Sequence, residues 1–407
     1  MNLPAVISPA LRPRGEERDR TGADQAFVPP FCPANRCPHH RHPPTGEQWY
    51  WKWGFFFDRV FGRVQRFRCR SCGSTFCTQT FSVHYHIKRL IDLPIFMQLL
   101  QSAASVRAIA RLYHCSTGTV ANRTDRLMRQ ALVALSDIAA ESAGAEDLCA
   151  DGFRSFCVSQ YFPCDLTILV GDRSDTVYTL DYALLRRSGS MTNRQKRTRA
   201  TLDSRVSFDP QASRKSFARI LDLVIRLWVK RPTRQCVLHT DEHLGYQVAW
   251  SRHPHIQHLA QRQWAAHQRV SSQVARTATN PLRAANYVDR EIRKDRADHH
   301  RETVCFARNV PMMLGRLAIY FAYHNLLKKR RIRGSRSPGL SETICESHAR
   351  FAGIRSERLK AIAIGMVSHR RFLSRELLSP FYQQLWLKRI ATPLKLHAER
   401  VPKYARA

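Results

Sequence analysis

The sequence predicts an α/β protein in which two small units precede a larger domain built on a mixed sheet. Three observations carry this prediction. They are two pairs of closely spaced cysteines, apolar residues at helical spacing from about residue 87 to 140, and a β, β, β, α, β order of segments after residue 145. A chain of 407 residues is long enough for such a set of domains.

Composition limits the classes of partner. Lys and Arg outnumber Asp and Glu by 66 to 32, a net charge of +34, which favours a polyanion because neutralised phosphates release counterions. The most apolar stretch, residues 312–327, is interrupted by Arg316 and His324, so we expect no spanning helix and no membrane partner. The N-terminus lacks a secretory signal pattern, and we therefore expect a cytoplasmic protein. With a polyanion as its partner, we also expect it to be nucleoid-associated.

Residues 1–24 are predicted to be disordered, and residues 25–80 are predicted to form a zinc ribbon. In a reducing compartment the cysteines should not form disulfides, so their spacing becomes the informative feature. Two close pairs can supply the four soft ligands of tetrahedral Zn²⁺, and the four are Cys32, Cys37, Cys69 and Cys72. The pattern leaves three nearby side chains open as alternative ligands, namely His39, His40 and Cys77.

An aromatic run at residues 49–57 and the segment at residues 64–68 predict paired strands within this unit, with Gly73 as a turn residue. We expect the aromatic rings to pack inside the ribbon, and base stacking is the alternative.

Residues 81–140 predict a helix-turn-helix DNA-binding region, with a turn near residues 115–116. In such a unit the early residues of the second helix face base edges in the major groove. The alternative is an ordinary helical hairpin. The candidate base-reading residues are Thr117, Thr119, Asn122 and Arg123.

Residues 145–330 predict a catalytic domain with strands at 148–159, 166–170, 176–184 and 235–239 and helices at 217–229 and within 286–327. The basic stretches at 194–199 and 328–333 are expected to follow phosphates. Residues 331–407 form a basic C-terminal region whose architecture the pattern does not define.

Acidic side chains stand out in a chain with few of them. Asp151 lies within the first strand and Asp241 at the end of the fourth, while Asp289 and Glu291 lie on a later helix. Three such groups can hold two divalent ions for phosphoryl transfer, although each acid alone could be a turn former. Asp289 and Glu291 lie about 200° apart around a helix, and the apolar stripe favours Asp289 as the third acid.

This order of units resembles the bacterial insertion-sequence transposases of the DDE type. The likeness is most specific at the cysteine quartet and at residues 240–246, 286–290 and 301–308. It implies a ribonuclease H-like catalytic domain in which Mg²⁺ or Mn²⁺ is held by Asp151, Asp241 and Asp289. In the family a Tyr follows the second acid, here Tyr246. The third acid is usually Glu, where this chain has Asp289.

The sequence thus predicts a transposase that binds the ends of a mobile element and catalyses strand cleavage and strand transfer. Its expected partners are double-stranded DNA, as element ends and target, and further copies of itself assembled on that DNA. Two alternatives remain open. One is a non-catalytic sequence-specific DNA-binding regulator or decayed transposase, and the other is a structure-specific nuclease without joining activity.

Overall fold

The computed structural model describes residues 27–42, 44, 47–102, 104–230, 235–300, 305–328, 347–373, 378–395 and 401. The segment predicted to be disordered, most of the basic run at 328–333 and half of the motif at 301–308 lie outside these residues. The fold is α/β, with an antiparallel three-stranded sheet and a mixed five-stranded sheet.

The first sheet pairs β1 (Tyr50–Asp58) with β2 (Gly62–Cys69), and β2 with β3 (Thr75–Cys77), so the predicted strand pairing is confirmed. Helix α1 (Pro38–Arg41) follows the first cysteine pair. Aromatic rings pack around the cysteines, among them Trp49, Phe67 and Phe76. The predicted packing of the aromatic run at 49–57 is confirmed for Trp49 and Tyr50, which are buried in this core. It is wrong for residues 51–57, which are all exposed and are not covered by any layer of the described residues.

Three helices follow: α2 (Leu93–Gln101), α3 (Val106–Leu112) and α4 (Thr117–Glu141). Ser105 caps α3 and Ser116 caps α4, and each hydroxyl accepts a backbone N–H bond of 3.1 Å. Such caps satisfy amides that a helix leaves without partners at its first turn. A short turn joins α3 to α4 near residues 115–116, as expected. That these helices form a DNA-binding helix-turn-helix stays a prediction.

The mixed sheet consists of five strands, β4 (Leu148–Phe156), β5 (Pro163–Gly171), β6 (Val177–Leu184), β7 (Cys236–Asp241) and β8 (Ala265–Val270). Their order in the sheet is β6-β5-β4-β7-β8. Strand β4 pairs antiparallel with β5 and parallel with β7, while β5–β6 is antiparallel and β7–β8 is parallel. The pairing therefore changes from antiparallel to parallel at β4.

Helices cover both faces of this sheet. Alternate residues of β4 enter different apolar clusters, Cys149 and Phe153 with α4 and α9, and Leu148 and Ala150 with α6. The later helices are α5 (Asn193–Asp203), α6 (Ala212–Trp228), α7 (Leu244–Arg252), α8 (Pro254–Gln261), α9 (Arg283–Asp295), α10 (Val310–Leu326), α11 (His348–Phe351), α12 (Ser356–Ser368) and α13 (Pro380–Trp386).

One apolar core runs from the helix-turn-helix region through the mixed sheet to the C-terminal helices. Leu127 and Leu135 of α4 share it with Phe321 of α10 and Trp386 of α13. The predicted division near residue 140 is therefore not a boundary of the hydrophobic core. Within the described residues, every helix is too short or too polar to cross a membrane.

Candidate functional site

Four cysteines form a compact cluster in the N-terminal unit. The Sγ atoms of Cys32 and Cys72 are 3.6 Å apart, those of Cys37 and Cys69 are 3.7 Å apart, and all four lie within 4.8 Å of one another. These distances far exceed a disulfide bond of about 2.05 Å. Four sulfurs at about 2.3 Å from a tetrahedral ion lie about 3.8 Å apart, so the cluster could hold a structural metal such as zinc.

The three alternative ligands lie outside this cluster. His39 Nδ1 lies 3.7 Å from Cys69 Sγ, and His40 Nδ1 contacts the Cys32 carbonyl oxygen at 2.7 Å. Both imidazoles thus support the cysteines from outside, as partners of metal ligands do. Cys77 instead caps a 3₁₀ turn, with its thiol 3.6 Å from Thr80 Oγ1.

A basic surface formed by α3 and the following turn lies beside the start of α4. Thr117 and Asn122 are exposed and Thr119 is half-buried, so these three predicted readers are accessible or partly accessible. A shallow groove beside them is lined by Arg107, Arg111 and His114 with Ser116 and Thr117.

Arg123 does not belong to this surface. Its side chain is 5% exposed, and its Nη2 donates a 3.0 Å hydrogen bond to the carbonyl oxygen of Arg89. Its predicted contact with base edges is therefore wrong. Arg89 lies in the segment before α2, so the Arg123 side chain links α4 to that segment.

Asp151 and Asp241 are placed side by side by the parallel pairing of β4 and β7. Cys149 pairs with His239, and continuing that register by two residues brings Asp151 level with Asp241. Asp241 ends β7, and its Oδ1 accepts the His243 N–H at 3.0 Å, which turns the chain into α7.

Asp289 reaches the same place from α9. Asp151, Asp241 and Asp289 all line one cleft of about 1790 Å³. Burial and the Asp241 carboxylate raise the pKa of Asp151 to about 6. Burial and the Asp151 carboxylate likewise raise the pKa of Asp289 well above its usual value. Carboxylates that oppose one another's ionisation in a cleft are a frequent mark of a functional site.

The cleft is basic around these acids. The positive charges of Arg276, in the loop after β8, and of Arg293, on α9, lower the pKa of Asp289 and so partly offset the effect of burial. Arg276 also lowers the pKa of Asp151. The basic side chains of the lining are Arg154, Arg276, Arg283, Arg290, Arg293, Lys294 and Lys328. The carboxylates do not converge on one point, however. Among the described residues, the group of Cys, His, Asp or Glu side chains whose ligand atoms converge closely enough to hold a metal ion is the cysteine quartet.

Glu291 also lines this cleft, but its carboxylate is engaged by two lysines. It accepts hydrogen bonds of 2.8 Å from Lys294 and is ion-paired with Lys328 at the start of the basic run. Burial raises the pKa of Glu291, but these two ammonium groups outweigh it and the pKa falls below its usual value. A carboxylate engaged by two lysines is not a third ligand for the cleft, so the candidacy of Glu291 does not agree with the structure.

A fourth acid, Asp165 on β5, was not predicted from the sequence. Its Oδ1 and the Tyr246 hydroxyl lie only 2.5 and 2.6 Å from where a Cβ on Gly152 would stand. A side chain at position 152 would therefore collide with both groups. Burial raises the pKa of Asp165, and the Tyr246 ring stacks on Phe217 with centroids 4.3 Å apart. The available signal was one acid inside the otherwise uncharged, fully buried strand β5.

No protein-family model matches this chain, and no curated protein matches it.

Proposed function

We propose that this protein is a metal-dependent DNA transposase that cleaves and joins strands at the ends of a mobile element. The observation that carries the proposal is the placement of Asp151, Asp241 and Asp289 in one basic cleft. Acids on neighbouring parallel strands and on a facing helix suit cations, and the surrounding guanidinium groups suit phosphates.

The element order supports a ribonuclease H-like fold for the catalytic region. Strands β4, β5 and β6 are followed by helices α5 and α6, strand β7 and helix α7, which fits the β, β, β, α, β, α order that the resemblance to DDE-type transposases implies. The first two acids of that resemblance, Asp151 and Asp241, belong to the adjacent parallel strands β4 and β7.

The cleft chemistry fits Mg²⁺ or Mn²⁺. The donors are carboxylate oxygens, the ligands that hard divalent cations prefer, and the raised pKa values of Asp151 and Asp289 reflect negative charge that a cation would offset. Asp151, Asp241 and Asp289 would hold the ions, which would supply an activated water and stabilise the leaving oxygen.

The protein's own groups position the DNA. Arg154, Arg276 and Arg290 are exposed at the cleft and can donate to phosphate oxygens on either side of the scissile bond. Asn122 and Thr117 at the start of α4 would read base edges of the element end. The basic run at residues 194–199 forms the exposed helix α5, which would add phosphate contacts.

The cysteine cluster would hold Zn²⁺, and the assembly on DNA would contain more than one copy of the chain. The partners would be the element ends and a target duplex, with the protein associated with the nucleoid.

The proposal is tested with the DNA that flanks the coding sequence as substrate. With Mg²⁺ the purified protein should nick a labelled duplex at the element ends, and with a target plasmid it should yield joined products. Asp151→Asn and Asp241→Asn should bind the ends with unchanged affinity and fail to cut.

The outcomes separate the alternatives. Cleavage without joined products would indicate a nuclease, and end binding without cleavage under Mg²⁺ or Mn²⁺ would indicate a regulator. Cleavage by Asp151→Asn at the unmodified rate would remove the proposed site altogether.

A further inference from the structure

The β1–β2 hairpin carries a row of large aromatic side chains in contact with solvent. Residues 51–57 are exposed, and the exposed fraction is 46% for Trp51, 44% for Trp53 and 80% for Phe57. A contiguous patch of exposed aromatic side chains is unfavourable in water and usually marks a site where a partner binds. These rings do not help to hold the cysteines, which are packed by other aromatic residues of the unit.

Three of these rings each contact the guanidinium group of an arginine, and these arginines lie in β2 or directly after it. The guanidinium carbon of Arg63 lies 3.9 Å from the Phe55 ring centroid, that of Arg68 lies 4.7 Å from Trp53, and that of Arg70 lies 5.4 Å from Trp51. Rings and cations therefore alternate over the hairpin surface.

The hairpin is strongly basic and offers these cations to a partner. Residues 50–70 contain Lys52 and five arginines against one acid, Asp58. Asp58 is used within the turn, where its Oδ1 accepts the N–H groups of Val60 and Phe61. No carboxylate of the described residues forms an ion pair with the arginines beside the rings or with Arg66, so the local charge is complementary to a polyanion.

We infer that this hairpin binds a single-stranded segment of DNA, with Trp51 and Trp53 stacking on unpaired bases and Arg66, Arg68 and Arg70 contacting phosphates. Residues two apart on a strand are about 6.6 Å apart, roughly twice the 3.4 Å separation of stacked bases in a duplex strand. The aromatic spacing therefore matches an extended, unstacked strand. Alternating rings and cations are the usual means of binding such a strand.

A duplex would use this surface poorly. Its phosphates could meet the arginines, but its base faces are covered by neighbouring base pairs, so the rings would stay in water. This inference rests on the hairpin and the net charge and does not depend on the catalytic acids. In the context of the proposed function, the bound segment would be the strand exposed when an element end is opened.

The experiment measures binding of fluorescein-labelled oligothymidylate and of a mixed-sequence duplex by anisotropy. The protein is full-length, carries zinc and Asp151→Asn, and is kept without Mg²⁺. Trp51→Ala and Trp53→Ala should each weaken binding to the single strand by at least about tenfold, while duplex affinity changes by less than about twofold. Trp53→Phe should retain most of the affinity because it keeps an aromatic face.

Ile364→Ala on α12 is the control, because it removes an apolar side chain of similar exposure away from the hairpin. Zinc content of each variant checks that the unit remains folded. Equal losses on both DNAs, or unchanged single-strand affinity, would overturn the inference. A dimer in light scattering that Trp51→Ala converts to a monomer would overturn it in favour of contact with a second copy.

If the hairpin does not bind the single strand, the proposed function is not affected, because the cleavage assay tests Asp151, Asp241 and Asp289. Absence of cleavage, in turn, does not affect oligothymidylate binding.

Discussion

At the scale of single residues, Asp289 and Glu291 differ through their surroundings. Asp289 shares the cleft with Asp151 and has a raised pKa, whereas Glu291 is paired with Lys294 and Lys328 and has a lowered one. A carboxylate without strong cationic partners can accept a divalent ion, and a carboxylate already paired with ammonium groups is a structural link between helices.

We therefore expect Asp289→Asn to reduce Mg²⁺-dependent cleavage by at least roughly 100-fold with end binding retained. Glu291→Gln should cut at nearly the original rate but lose about 1 kcal/mol of stability, because Lys294 and Lys328 would keep only Asp295 as a carboxylate partner. Cleavage rates and urea unfolding measure the two effects. If Glu291→Gln were inactive and stable, the roles would be reversed.

His299 makes stability depend on pH. The side chain is 1% exposed, and burial lowers its pKa from 6.5 to about 4 despite the attraction of Asp298. Below pH 6.5 the unfolded chain binds a proton that the folded protein does not, so stability falls as the pH falls from 6.5 toward 4. Between pH 7 and pH 5 the loss from this group is about 2 kcal/mol.

His299→Asn should lose about that much less stability than the unmodified protein between the same two pH values. Urea unfolding at both pH values gives the comparison, and zinc release at low pH cancels because it affects both proteins. Identical losses in the two proteins would show that His299 takes up its proton in the folded state.

Candidate residues could be named from the sequence where a motif gave their spacing. The cysteine quartet and Asp151, Asp241 and Asp289 follow from local patterns. The structure brings the four thiols together and places the three carboxylates along one cleft without convergence on one point. Asp165 could not be named, because its approach to Gly152 depends on the pairing of β4 with β5. Arg123 was misassigned because the sequence does not tell that the segment before α2, which contains Arg89, covers this face of α4.

At the scale of elements, the cysteine unit depends on its cluster more than on its apolar contacts. Cys69→Ser should abolish zinc binding and unfold this unit, since the ribbon core is small and metal binding supplies folding free energy directly. The mixed-sheet core should keep its thermal transition. Metal analysis should find about one zinc per chain in the unmodified protein and nearly none in the variant. Full zinc content in Cys69→Ser would exclude the quartet.

Helix α4 separates two roles along its length. Asn122→Ala should lower affinity for the element end by about 1–3 kcal/mol relative to random duplex and leave stability unchanged. Arg123→Ala should instead cost about 2 kcal/mol of stability, because the carbonyl of Arg89 loses its buried donor. Affinity for specific and random duplexes, together with the free energy of unfolding in urea, distinguishes the two variants. A selective loss of specific binding in Arg123→Ala would restore its role as a reader.

A helix or strand was predictable from the sequence where one face of it is buried or where it is buried along its whole length, because both leave a regular apolar pattern. Helix α6 and strand β5 have clear apolar patterns and were anticipated, with β5 longer than expected. Helix α5 has no buried residues, so no apolar period marked it, and the sign that remained was the capping box of Thr192 and Gln195. Strand β8 was missed because only its ends are buried.

At the scale of the whole molecule, the core joins parts that the sequence divides. Arg129 of α4 donates a 3.0 Å hydrogen bond to the carbonyl oxygen of Trp386, and Lys388 lies 2.8 Å from Asp125 of the same helix. The C-terminal region therefore completes the core around α4 and α10. Its helices were not predictable because their apolar positions face a surface assembled from distant segments.

A fragment of residues 145–330 should accordingly fail to fold, since it would expose the faces of α10 and the sheet that α4 and α13 cover. A fragment of residues 81–395 should unfold in one sharp transition, because it retains this core. Circular dichroism with heating compares the two. Cooperative unfolding of the shorter fragment would show that residues 145–330 are an independent domain.

Because α4 is one continuous helix, it fixes the distance between its exposed N-terminal end and the core of the protein. Its 25 residues extend about 37 Å, close to one helical turn of B-form DNA, and about two thirds of that length is fixed in the core that supports the acidic cleft. The N-terminal end of α4, which we propose meets bases, cannot pivot without moving the sheet. Under the proposed function, the sequence that is read would lie at a constant number of base pairs from the bond that is cut, so insertions of a few base pairs between the two would move the cut rather than stretch the complex.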